Sequence, residues 1–454
     1  MLLDARLERA VESRQVPAVE NLQRFCRQPS VSAQDLGVKE CADLLVRMMT
    51  AAGLRARIYA DHGGQPVVYG ERIESNALKT LLFYNHYDVQ PPDPLEEWES
   101  GPFAAEIRGG RLYGRGASDN KGNIVARLEA LRCLIDTYGR LPVSIRFLAE
   151  GEEEVGSPRL DRFVDLHGDL LQADACLWEG TNRDAADRPV VALGAKGMLY
   201  VEIRVKGPSV DVHSSYSTLV ENPAWRLVEA LRSIRAPDGK VLLEGFYDEV
   251  EPPSEEDLRH LEGLPFQEEH QIREEYGIQR FVNGATGLDA KIAYFHHPTC
   301  NVAGLNAGYT GPGSKTVLPR TAFAKIDFRM VPRQNPSKIL AALRRHLQQR
   351  GFGDFEIIEH GSYEAARTPM SAGFVRVVEA AAREIYRKDA VLHPSMAGSG
   401  PMCLFVNRLK IPTASLGIGH FASKIHAPNE NIRLDDLAMG IRLLIHLLQR
   451  FAAS

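Results

Sequence analysis

The sequence has no run of about 18 apolar residues, which leaves no candidate for a helical membrane span. It has no CxxC pair either. Its six cysteines (Cys26, Cys41, Cys133, Cys176, Cys300, Cys403) are scattered, which favours reduced thiols in a cytoplasmic protein over a disulfide frame or a cysteine zinc site. The opening stretch MLLDARLERAVESRQ alternates charged and apolar residues like a surface helix and lacks the apolar core of a signal peptide. Neither charge sign dominates. Lys plus Arg number 54 and Asp plus Glu 59, a formal net charge of -5, so electrostatics make no case for nucleic acid as a partner. Internal repeats and low-complexity tracts are missing as well. Any metal bound here would need histidine and carboxylate ligands.

With 454 residues, 44% hydrophobic and 25% charged, the composition is that of an ordinary soluble globular chain long enough for two domains. Helix and strand signals alternate in the first third. VKECADLLVRMMTAAGL carries Leu45, Met48, Met49 and Ala52 at helical spacing, and NKGNIVARLEALRCLIDTYG places Ile124, Leu128, Leu131 and Ile135 on one face. TLLFYNHYDV, VSIRFLAE, ADACLWEG and the late IPTASLGIG read as short buried strands, and LDDLAMGIRLLIHLLQRF as a closing helix. This alternation indicates an α/β mixed sheet with helices on both faces.

The middle differs. GMLYVEIRVKG and TAFAKIDFRMVP alternate like strands with one wet face, NPSKILAALRRHLQQRG is an amphipathic helix, and the acidic stretch at 249–277 reads as helical. The expected organisation is a catalytic domain, residues 1–195 plus 366–454, interrupted by an inserted α+β lid/dimerisation domain, residues 196–365.

The strong polar clusters sit where buried strands stop, which is where open α/β sheets bind ligands. His86 and Asp88 end one strand, and Glu150, Glu152, Glu153 and Glu154 crowd the end of another. Glu179 ends a third, His426 follows a fourth by one loop, and Asp119 lies in the Gly-rich turn GRGASDNKG. Taken singly, a strand-end histidine is usually structural, a glutamate run is usually solvated, and the Gly-rich turn lacks the GK[ST] of a phosphate loop. Together they supply imidazole and carboxylate without thiolate, a donor set for zinc or a neighbouring divalent metal. Five such groups exceed the needs of one catalytic zinc and suit two metals sharing a carboxylate. Asp88, two residues after His86, can accept a hydrogen bond from the imidazole nitrogen opposite the metal.

HYDVQP, GRGASDNKG, the Glu-Glu pair followed by VGS, and HAPNE occur in an order that resembles the dinuclear-zinc exopeptidase family of carboxypeptidases, aminoacylases and dipeptidases. The resemblance runs from about residue 20 to the end. It implies two divalent metal ions per chain, Zn2+ first with Mn2+ or Co2+ as alternatives, and a homodimer through the lid domain. His86 would ligate one metal, Asp119 would bridge both, Glu154 and His426 would complete the second, and Glu179 the first, with Asp184 as the fallback. The peptide after Asp119 would be cis, and Asp88 would clamp His86. Glu153 matches the general base that moves a proton from water to the leaving amine.

His213 in VDVHSS matches a lid histidine that steadies the oxyanion. Arg329 in DFRMVP, with Gly398 and Ser399 in MAGSGP and Asn301 in TCNVAG, would bind a substrate carboxylate. The stretch FYDEVEPPSEEDLRHL, with SKTVLP and DFRMVP, is similar to the branch of cytosolic nonspecific dipeptidases and carnosinases. The expected activity is hydrolysis of dipeptides or short peptides with a free C-terminal carboxylate; the alternative is deacylation of N-acetyl or N-succinyl amino acids. A noncatalytic scaffold would have lost its base or ligands, and a two-metal phosphoesterase would want more cations at the rim than Lys121.

Overall fold

The computed structural model describes residues 3–266, 269, 273–274 and 277–454. The chain divides into two compact units, one of residues 1–194, 367–395 and 400–454, the other of residues 195–366 and 396–399. The short strand Met396–Ser399, read from sequence as part of the outer segment, clusters with the second unit because it pairs in parallel with the long strand Gly194–Lys206.

The first unit is built on an eight-stranded mixed sheet, the α/β class expected. Across it run Arg55–Tyr59, Val67–Arg72, Ser144–Glu150, Thr80–His86, Ala175–Trp178, Thr413–Ser415, Val190–Ala192 and Val391–His393. The central strand Thr80–His86 lies parallel to both Ser144–Glu150 and Ala175–Trp178, while Val67–Arg72 pairs antiparallel with Ser144–Glu150. Burial on both faces is why these central strands read as apolar runs rather than alternating ones. One face is covered by helices Ala5–Arg27, Val38–Ala51, Lys121–Tyr138, Gly373–Tyr386 and Leu434–Ala453, whose apolar sides share one core with Leu81, Phe83, Ile145 and Phe147. The other carries Phe163 of helix Leu160–His167, edge-on to Tyr59 at 5.6 Å, and Phe405 against Tyr84 at 4.9 Å.

The N-terminal helix departs from its reading as a surface element. It runs to Arg27 and fully buries Leu7, Val11, Leu22, Phe25 and Cys26, so its charge alternation marks one exposed side of a core helix.

In the second unit, Thr299–Ala307, Thr321–Met330, Gly194–Lys206 and Glu356–Tyr363 form an antiparallel run of strands. Leu199, Val201, Ile203, Ile326 and Phe328 point to a core shared with helices Pro223–Ile234 and Pro336–Gln349; the alternate residues form the other face. Within the acidic stretch a helix, Glu255–Gly263, starts at a Ser254–Asp257 capping box. The helical expectation beyond it falls partly on residues 267–268, 270–272 and 275–276, which lie outside the described residues.

Candidate metal centre

Three parallel strands ending at the same edge bring His86, the 150–154 loop and Glu179 together. His86 pairs in register with Glu150, and the Glu179 N–H donates to the carbonyl of Tyr84 at 2.7 Å. Arg127, buried on helix Lys121–Tyr138, ties these ends by donating to the carbonyls of Tyr84 and Glu179 and to Asn85 Oδ1. Asp119 precedes that helix, and the Asp119–Asn120 peptide is cis.

Asp119 stands between two histidines. Its Oδ1 is 3.0 Å from His86 Nε2 and its Oδ2 is 3.1 Å from His426 Nε2. His426 Nε2 is also 3.2 Å from Glu154 Oε2, which accepts a hydrogen bond from Gln90 at 2.8 Å. Two triads, His86–Glu153–Glu179 and His86–Asp119–Glu154, each place their donor atoms within 4.8 Å of one another. Glu179 Oε1 is buried without a hydrogen-bond partner, so a cation fits this donor set better than further protein contacts do. Glu179 (φ 34°) and His426 (φ 62°) both adopt the left-handed region, a conformation non-glycine residues keep where the surroundings demand it.

The electrostatics follow from crowding five carboxylates and two imidazoles. Burial pushes Glu153 up to about 8, with Glu154 adding to the effect against the pull of His86. Glu179 rises well above the usual carboxylate range from burial and from Glu153. Burial works against charge on His86, but Asp119 and Asp88 outweigh it and raise its pKa well above the ordinary value. Hydrogen bonds to Asp119 and Glu154 lift His426 to about 10. The carboxylates that favour positive charge on the two imidazoles would equally favour a divalent cation among them.

The profile of the peptidase family M20/M25/M40 matches residues 82–450, most of the chain and every residue of this cluster. The chain belongs to this peptidase family. It is 28% identical to the Cys-Gly metallodipeptidase dug1 of Schizosaccharomyces pombe across 100% of this chain and 99% of that one. The human Beta-Ala-His dipeptidase is 30% identical over 62% of this chain and 56% of its own length. Among solved structures, the M20 family metallo-carboxypeptidase Sso-CP2 from Sulfolobus solfataricus superposes with a TM-score of 0.91 at 39% identity, covering 100% of both chains. The protein is accordingly a hydrolase, and its sheet and separate second unit are those of a metallopeptidase.

Two sequence expectations about this peptidase are sharpened. Asp184 does not join the cluster: its carboxylate accepts from the Arg188 backbone at 2.8 Å and guanidinium at 2.7 Å, whereas Glu179 stands beside His86 and Glu153. Asp88 meets the imidazole with its backbone carbonyl more closely than with its carboxylate. His86 Nδ1 meets the Asp88 backbone carbonyl at 3.1 Å, with the carboxylate 3.5 Å away. That carboxylate also accepts the backbone N–H groups of Glu153 and Glu154 at 3.2 and 3.0 Å, holding the glutamate pair in place. The strand stops at His86, so the two-residue spacing no longer sets a shared face.

Glu150 is buried against Tyr84 Oη and Ser157 Oγ rather than solvated. Lys121, the one rim cation considered for phosphate, is buried and donates to the carbonyls of Phe25 and Gln28. Sequence reasoning overlooked Gln90, Arg127 and Glu430. The last stands in the HAPNE motif already noted for His426, which was its available signal.

In the second unit, Arg329 Nη1 donates to Ser399 Oγ at 2.7 Å and Arg329 Nε lies 3.4 Å from Asp327 Oδ1. Asn301 Nδ2 donates to Asp327 Oδ2 at 2.8 Å, so Asn301, Arg329 and Ser399 form one polar string, with exposed Gly398 beside it. His213 is exposed on the two-residue strand Val212–His213, and its Nδ1 accepts the Ser215 N–H at 3.1 Å. That bond leaves Nε2 as the protonated, donating nitrogen of the neutral ring.

Proposed function

We propose that this peptidase hydrolyses the amide bond of dipeptides and short peptides with a free C-terminal carboxylate, using two divalent metal ions. The observation that carries this reading is Asp119, which presents one oxygen towards His86 and the other towards His426. His86, Asp119 and Glu179 would hold one ion, and Asp119, Glu154 and His426 the other; the nitrogen and oxygen donors favour Zn2+, with Mn2+ or Co2+ able to substitute. Bound there, the ions would supply Lewis acidity towards the scissile carbonyl and lower the pKa of water towards neutrality.

The chain's own groups do the rest. Glu153, made a stronger proton acceptor by burial and by Glu154, takes a proton from the attacking water and delivers it to the departing amine. His213, with its proton on Nε2, donates to the developing oxyanion. Arg329, oriented by Ser399 and Asp327, forms a charge-assisted pair with the terminal carboxylate, and Asn301 and the Gly398 backbone line the same polar face.

The dipeptidase assignment draws on the relatives of that name. A homodimer through the second unit is supported by its exposed Leu219, Trp225, Val228 and Leu305. Residence in the cytoplasm is supported by six free cysteines. A panel of dipeptides set against N-acetyl and N-succinyl amino acids, with free amino acid as the readout, tests the substrate. Chelation should abolish turnover of the dipeptides, and turnover confined to the acylated compounds would replace this reading with a deacylase.

A further inference from the structure

The segment His426–Glu430 reaches Asp119 from two directions. His426 Nε2 approaches the carboxylate, while Glu430 accepts the Asp119 backbone N–H at 3.0 Å and that of Ser118 at 2.9 Å through Oε1. Its Oε2 accepts the Gly116 N–H at 2.9 Å and the Arg115 guanidinium at 3.0 Å. The Glu430 carbonyl also accepts the Gly114 N–H at 2.9 Å. Glu430 is 0% exposed and Arg115 1%.

Three backbone N–H groups of one turn converging on an anion form a nest of the kind that elsewhere binds phosphate. Here the nest is filled by the protein's own carboxylate, and both oxygens are fully engaged. A buried ion pair is a poor way to stabilise a fold, because its desolvation cancels much of its attraction. The arrangement does fix something else: the backbone of Arg115–Asp119, and with it the direction in which Asp119 projects. It also couples that direction to His426, since both contacts originate in one five-residue segment.

We propose that Glu430 is a positioning residue for the shared carboxylate. It clamps the turn so that Asp119 offers one oxygen on the His86 side and one on the His426 side. Losing the clamp therefore weakens binding of both metal ions together. The proposal rests on the two-metal reading above and adds a residue outside the ligand set to it.

The test is a Co2+ titration of the metal-stripped chain, followed by visible absorbance well below the unfolding temperature, with near-ultraviolet circular dichroism as the check on folding. The Glu430→Gln variant should bind both Co2+ ions roughly 10–100-fold more weakly, the usual cost of losing a partner behind a metal ligand. Glu154→Gln, by contrast, should weaken one ion far more than the other. A Glu430→Gln protein that melts earlier in the stripped state but binds both ions as tightly as wild type would show a purely structural role and overturn the proposal. Should that variant fail to fold, Glu430→Asp keeps the charge but loses reach, and unchanged affinities there overturn it equally. Fewer than two Co2+ sites in the wild-type chain would overturn the two-metal reading itself, an outcome distinct from an unshifted variant.

Discussion

The two polar regions of this peptidase are built in opposite ways. In the first unit, like charges are forced together by loops: three parallel strands end at one edge, and His86, Glu153, Glu154 and Glu179 leave from those ends. In the second, Arg329, Asp327 and Asn301 sit within paired strands, spaced by the two-residue pleat, with opposite charges adjacent. A strand keeps like charges apart and lets neighbours neutralise each other. Strand ends carry no such spacing rule, so carboxylates can converge until their ionisation is strongly disturbed, as Glu153 and Glu179 show. The first construction suits a cation, and the second holds a guanidinium between Ser399 and Asp327.

The contrast breaks most sharply at Asp119. Asp119→Ala removes the side chain that approaches both histidines to about 3 Å, and, on the two-metal reading, metal content per chain should fall from near two to near zero by atomic absorption. Retention of both ions would dissolve the cluster as a unit. Next in size is Glu153→Gln, which should leave metal content intact while turnover drops roughly 100–10,000-fold, the usual worth of a general acid–base group. If dipeptide turnover survives, the proton carrier is another member of the loop.

Arg329→Met addresses the other region and should reduce kcat/KM by roughly 10–100-fold, the cost of one or two charge-assisted hydrogen bonds. The loss should vanish with C-terminally amidated dipeptides, already poor substrates, because they carry no carboxylate to lose. An equal loss on both would make Arg329 a structural residue. The smallest effect concerns protons. Asp119 and Glu154 lift His426 to about 10, and Asp119 and Asp88 raise His86, so without metal both imidazoles lean towards their protonated forms. Metal requires neutral imidazole, so binding must expel these protons and must weaken as pH falls. Calorimetry in buffers of different ionisation enthalpy should show release of more than one proton per chain at pH 7, and no release would place the histidines outside the metal site.

Much of the first region was legible before folding was known, and in the second Arg329, Ser399 and Asn301 were named while their shared partner Asp327 was not. Buried parallel strands announce themselves as apolar runs, so the residues just beyond them could be read as one rim. Distances could not. The choice between Glu179 and Asp184 needed the turn in which Asp184 folds back onto Arg188, a local contact that no spacing reveals. Asp88 holds His86 as expected, through its backbone carbonyl as well as its carboxylate, but its second service, binding the Glu153–Glu154 backbone, could not be read from spacing.

By itself, the order and composition of residues determined the fold class, the imidazole–carboxylate donor set and the family, because periodicity and short motifs are local properties of the chain. Only tertiary structure decided which carboxylate faces which histidine, and that Glu430, about 310 residues from Asp119 in the chain and bonded to its backbone, belongs to the same device. Long-range pairing carries no signature in the intervening sequence, and a buried charge reveals its purpose only through the groups packed around it.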